Sequence, residues 1–166
     1  MPSSPERSTA APPALELRRG ARADRAYVIA LARECFARFG DYGEIIARWL
    51  DASGAVTVIA HDGDARVGFA LIAPHRWLGI FRPRFAELVA IAVEPERRAR
   101  GVGRCLLERA ELVARTWDAA EVRLHTAQEN GGAQRFFARA GYRRVPADPS
   151  YYPNGQEALE MARVLR

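Results

Sequence analysis

The residues best suited to chemistry lie in Ile91–Arg104, IAVEPERRARGVGR, where an apolar run stops at Glu94-Pro95 and a helical pattern starts through Arg98-Ala99-Arg100-Gly101-Val102-Gly103-Arg104. Gly101 and Gly103 let backbone approach an anion closely, the first N–H groups of a helix point outward without acceptors, and Arg98, Arg100 and Arg104 add charge. Those are the parts of a phosphate cradle. The spacing is not a dinucleotide-binding fingerprint, since Leu106 stands where a third glycine would fall. The plainer reading is a turn with solvated arginines. A second candidate is Glu87, the one acid in the apolar run Phe85–Val93 (FAELVAIAV), where desolvation is expected to raise its pKa toward the working range.

The surrounding pattern says which elements must hold these residues. Leu15 to Arg18 alternates as a strand, and Asp24 to Phe39 sets Tyr27, Val28, Leu31, Cys35 and Phe39 on one face of a helix. Gly40 closes that helix, Asp41 can cap the next, and Ile45, Ile46, Trp49 and Leu50 form the second helix's apolar side, ended by Ser53-Gly54. Ala55–Ala60 and Arg66–Ala73 are β-rich runs joined through Asp62-Gly63, which predicts a hairpin. Phe85–Val93 reads as a strand buried on both faces. Gly101–Arg115 is the next helix, with Val102, Leu106, Ala110 and Val113 inward. Strand Glu121–Thr126, helix Asn130–Ala140 ended by Gly141, and an imperfectly alternating last strand Gln156–Leu165 complete the order. It predicts a mixed α/β sheet with helices on both faces, in one domain from residue 15 to 166.

Composition removes several classes. The chain has 166 residues and a formal net charge of +5, and all 25 of its Lys+Arg residues are arginine. Without lysine there is no P-loop lysine and no Schiff-base chemistry on a lysine. Cys35 and Cys105 are too few for a disulfide framework, and His61, His75 and His125 lack zinc spacing, so no metal is expected and a reducing cytoplasmic setting is. Residues 1–14, rich in Pro, Ser and Ala, read as a disordered leader with no signal-peptide core, and no run reaches the roughly 20 apolar residues of a spanning helix, so no membrane association is expected. The arginines are spread over the chain instead of forming a stripe, which argues against nucleic acid as a partner.

Arg98-x-x-Gly101-x-Gly103 after an apolar strand, then a strand, then Asn130, Ala133, Phe136, Phe137, Gly141 and Tyr142 in order, resembles the GNAT superfamily of acyl-CoA-dependent N-acetyltransferases. The resemblance covers Leu15 to Leu165. It implies a twisted, mostly antiparallel sheet of about six to seven strands with about four helices. It also implies acetyl-CoA as co-substrate, its pyrophosphate on Arg98, Ala99, Arg100, Gly101, Val102, Gly103 and Arg104, and its pantetheine arm paired with the backbone of Ile91, Ala92 and Val93. Asn130 and Phe137 match positions beside the same arm. Phe137 stands where such enzymes usually carry a tyrosine that protonates the leaving thiolate, and it has no proton to give. This leaves three readings: another tyrosine acts, no acid is needed because a thiolate of pKa near 8.5 leaves unaided, or the chain senses acetyl-CoA without catalysis.

Transfer to an amine needs the amine neutral, and an ammonium of pKa near 10 is about a thousandfold too protonated at pH 7. Glu87 falls where the histone-acetyltransferase branch carries its catalytic glutamate, and is the first candidate base. Its alternative is a strand-end ion pair with Arg82 or Arg84. His125 falls where the ribosomal-protein acetyltransferases carry a glutamate, and is the second; its alternative is a structural role. A backbone N–H near Val93 is the expected donor to the carbonyl oxygen as charge develops there. Tyr151 and Tyr152 in DPSYYPNG could replace the missing acid or touch the acceptor, and Tyr152 is the one favoured. The acceptor, a small amine or a protein N-terminus or lysine, would meet Phe36–Tyr42 and His75–Arg84, where Trp77, Leu78, Ile80 and Phe81 could cap the site or join a homodimer.

Overall fold

The computed structural model describes residues 15–75, 85–146 and 158–165. Residues 1–14, expected from the sequence to be a disordered leader, residues 76–84 with their aromatics and arginines, and Tyr151 and Tyr152 lie outside the described residues.

Alternation and helical spacing become β1 (Leu15–Arg19), α1 (Arg25–Phe36), α2 (Tyr42–Leu50), β2 (Val56–Asp62), β3 (Ala65–His75), β4 (Phe85–Val93), α3 (Val102–Thr116), β5 (Glu121–Ala127), α4 (Gly131–Arg139), β6 (Arg143–Val145) and β7 (Ala158–Val164). Asp41 caps α2 by accepting from the Gly43 N–H at 3.2 Å. The β2–β3 hairpin turns at Gly63, whose φ of +59° suits glycine. Three expectations need correction. The first helix stops at Phe36, and Ala37–Phe39 tightens into a 3-10 turn before Gly40. The second stops at Leu50, before Ser53-Gly54. The chain also has a strand the pattern missed, β6, whose three residues are too few to alternate and which forms only by pairing with β7.

The sheet order is β1-β2-β3-β4-β5-β7-β6, antiparallel throughout except for the parallel pair β4–β5. One face carries α3 and Phe137 of α4 over Val56, Val58, Ala70, Ile72, Leu88, Val122 and Leu124. The other carries α1 and α2 over Ile59, Phe69, Leu71, Ala90 and Ala92. β4 is covered on both sides, so its sequence is a continuous apolar run. The last strand differs from the expected alternation: Glu160, Met161 and Ala162 are buried while Val164 is exposed.

Gly68 in β3 sets how closely α3 can lie. A Cβ there would sit 2.7 Å from the Ala92 carbonyl oxygen and 3.1 Å from Leu106 Cδ1. Gly68→Ala is expected to lower stability by about 1–3 kcal/mol through overpacking against backbone that cannot yield. A denaturant titration checks it; a wild-type midpoint would show that α3 has room.

Among the described residues, no helix is long and apolar enough to cross a membrane.

Candidate active site

Two departures from regular pairing build the site. Opposite β3, Leu71 pairs with Ala90 and Ile72 with Leu88, so Val89 is an extra residue, a β-bulge. The bulge exchanges the faces of β4: Ala86 and Leu88 pack with the α3 core, while Ala90 and Ala92 pack with α1 and α2. On its other edge β4 pairs with β5 only from Phe85–Glu121 to Leu88–Leu124. Beyond that point the strands part. β5 continues to Ala127 held by β7, and β4 continues to Val93 held by β3.

The parting leaves backbone groups without sheet partners. The Glu94 N–H donates to the Val67 carbonyl at 3.0 Å, so alternation along β4 turns the N–H and C=O groups of Ile91 and Val93 away from β3. The Val93 carbonyl accepts from Arg98 Nε at 3.2 Å. The Val93 N–H and both polar groups of Ile91 therefore face the gap, whereas those of Ala92, expected from the resemblance to pair with the arm as well, turn toward β3. A cleft opens there, lined by Leu88–Ile91, Leu124–Ala127, Asn130, Ala133 and Phe137, with Phe36, Phe39 and Tyr42 closing one side.

The glycine turn follows at once. Ala99 and Gly101 have φ of +58° and +82°, and no side chain caps α3. The first bond of the helix runs from the Cys105 N–H to the Gly101 carbonyl at 3.1 Å, so the N–H groups of Val102, Gly103 and Arg104 precede it and face outward. Left-handed residues followed by a bare helix start make a concave row of donors that suits a pyrophosphate. The arginines contribute unequally. Arg97 pairs with Asp62, Arg104 pairs with Glu108 one turn along the helix at 2.9 Å, and Arg98 lies back against Val93 and reaches the Cys35 sulfur at 3.2 Å. Arg100 has no ion-pair partner among the described residues. Arg104 is largely exposed, so its pair with Glu108 is weak enough to exchange for a phosphate.

The two candidate bases prove to be neighbours. Glu87 Oε1 lies 3.7 Å from His125 Nδ1, and Glu160 Oε2, from β7, lies 3.8 Å from His125 Nε2. Glu87 and Glu160 are both buried. Arg123 in turn donates to Glu160 at 3.1 Å and to Glu121 at 2.6 Å, and its guanidinium lies 4.6 Å above the Phe85 ring. His125 is among the residues lining the cleft, and Glu87 stands behind it. Sequence reasoning missed Glu160, because its meeting with His125 depends on the β5–β7 register.

Asn130 caps α4 by accepting from the Ala133 N–H at 3.1 Å, so its amide N–H₂ is the end left for a ligand. Phe137 is buried, with its ring edge-on to Phe136 and to Tyr142. Tyr142 cannot stand in as an acid for the cleft: its hydroxyl meets Glu111 at 3.0 Å, and burial pushes its pKa well above the ordinary tyrosine value. Tyr42 is the tyrosine that lines the cleft among the described residues, its ring 5.1 Å from that of Phe36.

A parallel pair that splays beside a glycine helix start is the arrangement that the resemblance to the GNAT superfamily led one to expect. The model of the acetyltransferase (GNAT) family matches residues 25–142, so the chain belongs to the GNAT acetyltransferase family. A mycothiol acetyltransferase from Clavibacter michiganensis subsp. michiganensis is 33% identical over 115 residues, 68% of this chain and 34% of that protein. The chain spans about a third of the length of the curated relatives it matches. Among solved structures, a candidate GNAT acetyltransferase from Desulfovibrio desulfuricans superposes with a TM-score of 0.76 at 21% identity, covering 91% of this chain and 99% of that one. The PaiA N-acetyltransferase from Thermoplasma acidophilum, in complex with coenzyme A, superposes with 0.70 at 19% identity, covering 92% and 99%.

Proposed function

We propose that the chain is an N-acetyltransferase that takes acetyl-CoA as co-substrate and acetylates a primary amine, on a small molecule or at a protein N-terminus or lysine, by direct attack in a ternary complex. One observation carries this reading: the Val93 N–H and the polar backbone groups of Ile91 face a gap that runs on to the uncapped start of α3. The residues fit the co-substrate, since an extended amide-bearing arm needs strand-like partners and a pyrophosphate needs a row of N–H donors. Acetyl-CoA supplies the activated acyl group. Ile91 and Val93 align the arm, the Val93 N–H is the donor for the acyl oxygen, and the Ala99–Arg104 turn holds the phosphates with Arg98 and Arg100 as added charge.

Proton acceptance falls to His125, the member of the Glu87–His125–Glu160 group that lines the cleft. A carboxylate on either side stabilises the positive charge the imidazole gains as it takes the amine's proton. Glu87 then acts through His125, a reversal of the order favoured from sequence. Glu87→Gln is expected to lower kcat by about tenfold and to alter the ionisation seen in the pH–rate profile while acetyl-CoA binding persists. If this variant loses as much as His125→Ala and the ionisation vanishes entirely, Glu87 is the base itself.

Release of CoA thiol with a panel of amines and peptides tests the function. Amine-dependent release supports it. Acetyl-CoA binding without release for any acceptor supports the sensor reading that Phe137 motivates.

A further inference from the structure

Thr126 follows His125 on β5, two residues past the last β4–β5 pair. Neighbours on a strand point to opposite faces, so Thr126 lies on the side of Leu124 and Phe137 while His125 lies on the side of α1 and α2. Thr126 is 7% exposed, and its hydroxyl is buried with no hydrogen-bond partner among the described residues. It lines the same cleft as Phe137. A buried hydroxyl without a partner destabilises the free protein, so such an atom marks a place where a ligand completes the bonding.

We propose that the Thr126 hydroxyl donates a hydrogen bond to the sulfur of acetyl-CoA as it becomes a thiolate, the task for which Phe137 has no proton. This rests on the acetyl-transfer reading. In the step, the amine's lone pair forms the C–N bond, the C–S bond breaks with its electron pair staying on sulfur, and the amine's proton passes to His125. Thr126 keeps its own proton, because an alcohol is too weak an acid to surrender it to a thiolate whose conjugate acid has a pKa near 8.5. The thiolate is protonated from water on release, and His125 returns its proton to water. Base and sulfur donor thus work from opposite faces of one strand. The titratable groups lining the cleft with Thr126 are His125 from β5 and Tyr42 from α2, and both stay in place in the variants below.

The test titrates the thiol of CoA bound to the protein by thiolate absorbance, against the complex with desulfo-CoA as blank. In the wild type the bound thiol is expected to titrate below the thiol of free CoA measured in the same buffer. Thr126→Val should raise it by about one pH unit and lower kcat by about 10- to 100-fold, with CoA affinity little changed. Thr126→Ser should keep both near wild type. Since the hydroxyl has no partner among the described residues, Thr126→Val should not lower the melting temperature, which a structural hydroxyl would do. A wild-type titration and kcat in Thr126→Val would overturn the proposal, as would a shift produced by Tyr152→Phe and not by Thr126→Val. If the wild type acetylates no amine, the acetyl-transfer reading fails, and the thiol titration still decides whether Thr126 meets the sulfur.

Discussion

His125→Ala is expected to lower kcat by about 10²- to 10³-fold and to leave acetyl-CoA affinity near that of the wild type. The size follows from the chemistry. The neutral amine attacks, and a positioned acceptor that takes the proton its nitrogen sheds as the C–N bond forms contributes about 10²- to 10⁴-fold. The selectivity follows from position. His125 lies beyond the last β4–β5 pair, on the face of α1 and α2, whereas the groups expected to hold the co-substrate are the β4 backbone and the start of α3. Added imidazole should restore part of the lost rate, because truncation leaves a space between Glu87 and Glu160 in which a free imidazole finds both carboxylates. Equal kcat in His125→Ala and wild type would remove His125 from the reaction.

The second large effect concerns stability. Asp24 is 2% exposed, takes a two-point contact from Arg18 at 2.7 and 2.8 Å, and also accepts from Arg66 at 2.8 Å and from the Ala21 N–H at 2.8 Å. It ties β1 and β3 to the start of α1. Asp24→Ala is expected to cost about 2–3 kcal/mol, below the usual loss for a broken buried pair because both arginines can turn to water. Hydrogen bonds from Arg18, first, and then from Ala21 and Arg66 hold the Asp24 carboxyl well below the ordinary carboxylate range, against the opposing effect of burial. A depressed folded pKa gives stability that is present above the unfolded value near 3.9 and lost as pH falls through the folded one. The gap between wild type and Asp24→Ala in urea should therefore be full at pH 7 and shrink below about pH 4. A gap independent of pH would mean that Asp24 acts by packing alone.

Local signals in the sequence were enough for most of the fold. The Gly40-Asp41 break, the Asp62-Gly63 turn and the spacing of Val102, Leu106 and Ala110 each reflect a rule that acts within a few residues, and the elements appear where those rules put them. What stayed hidden depends on register between distant strands. The bulge at Val89 exists only relative to β3, and the parting after Leu88–Leu124 exists only relative to β5. The same holds for the site. The glycine turn was legible because its chemistry is local, but Arg104, expected as added charge, pairs with Glu108, and the neighbouring Arg97 is held by Asp62 from the distant hairpin. Glu87 and His125 looked like rival bases at positions 38 residues apart, and the parallel β4–β5 pair makes them one group, with Glu160 added by β7.

If the co-substrate binds as proposed, its arm completes the sheet where β4 leaves β5. Amide hydrogen exchange, read residue by residue with and without acetyl-CoA, tests it most directly. Acetyl-CoA is expected to slow exchange at Ile91 and Val93, whose N–H groups face the gap, and to leave Ala90 and Ala92, already bonded toward β3, unchanged. Binding of acetyl-CoA with no added protection at Ile91 and Val93 would contradict it.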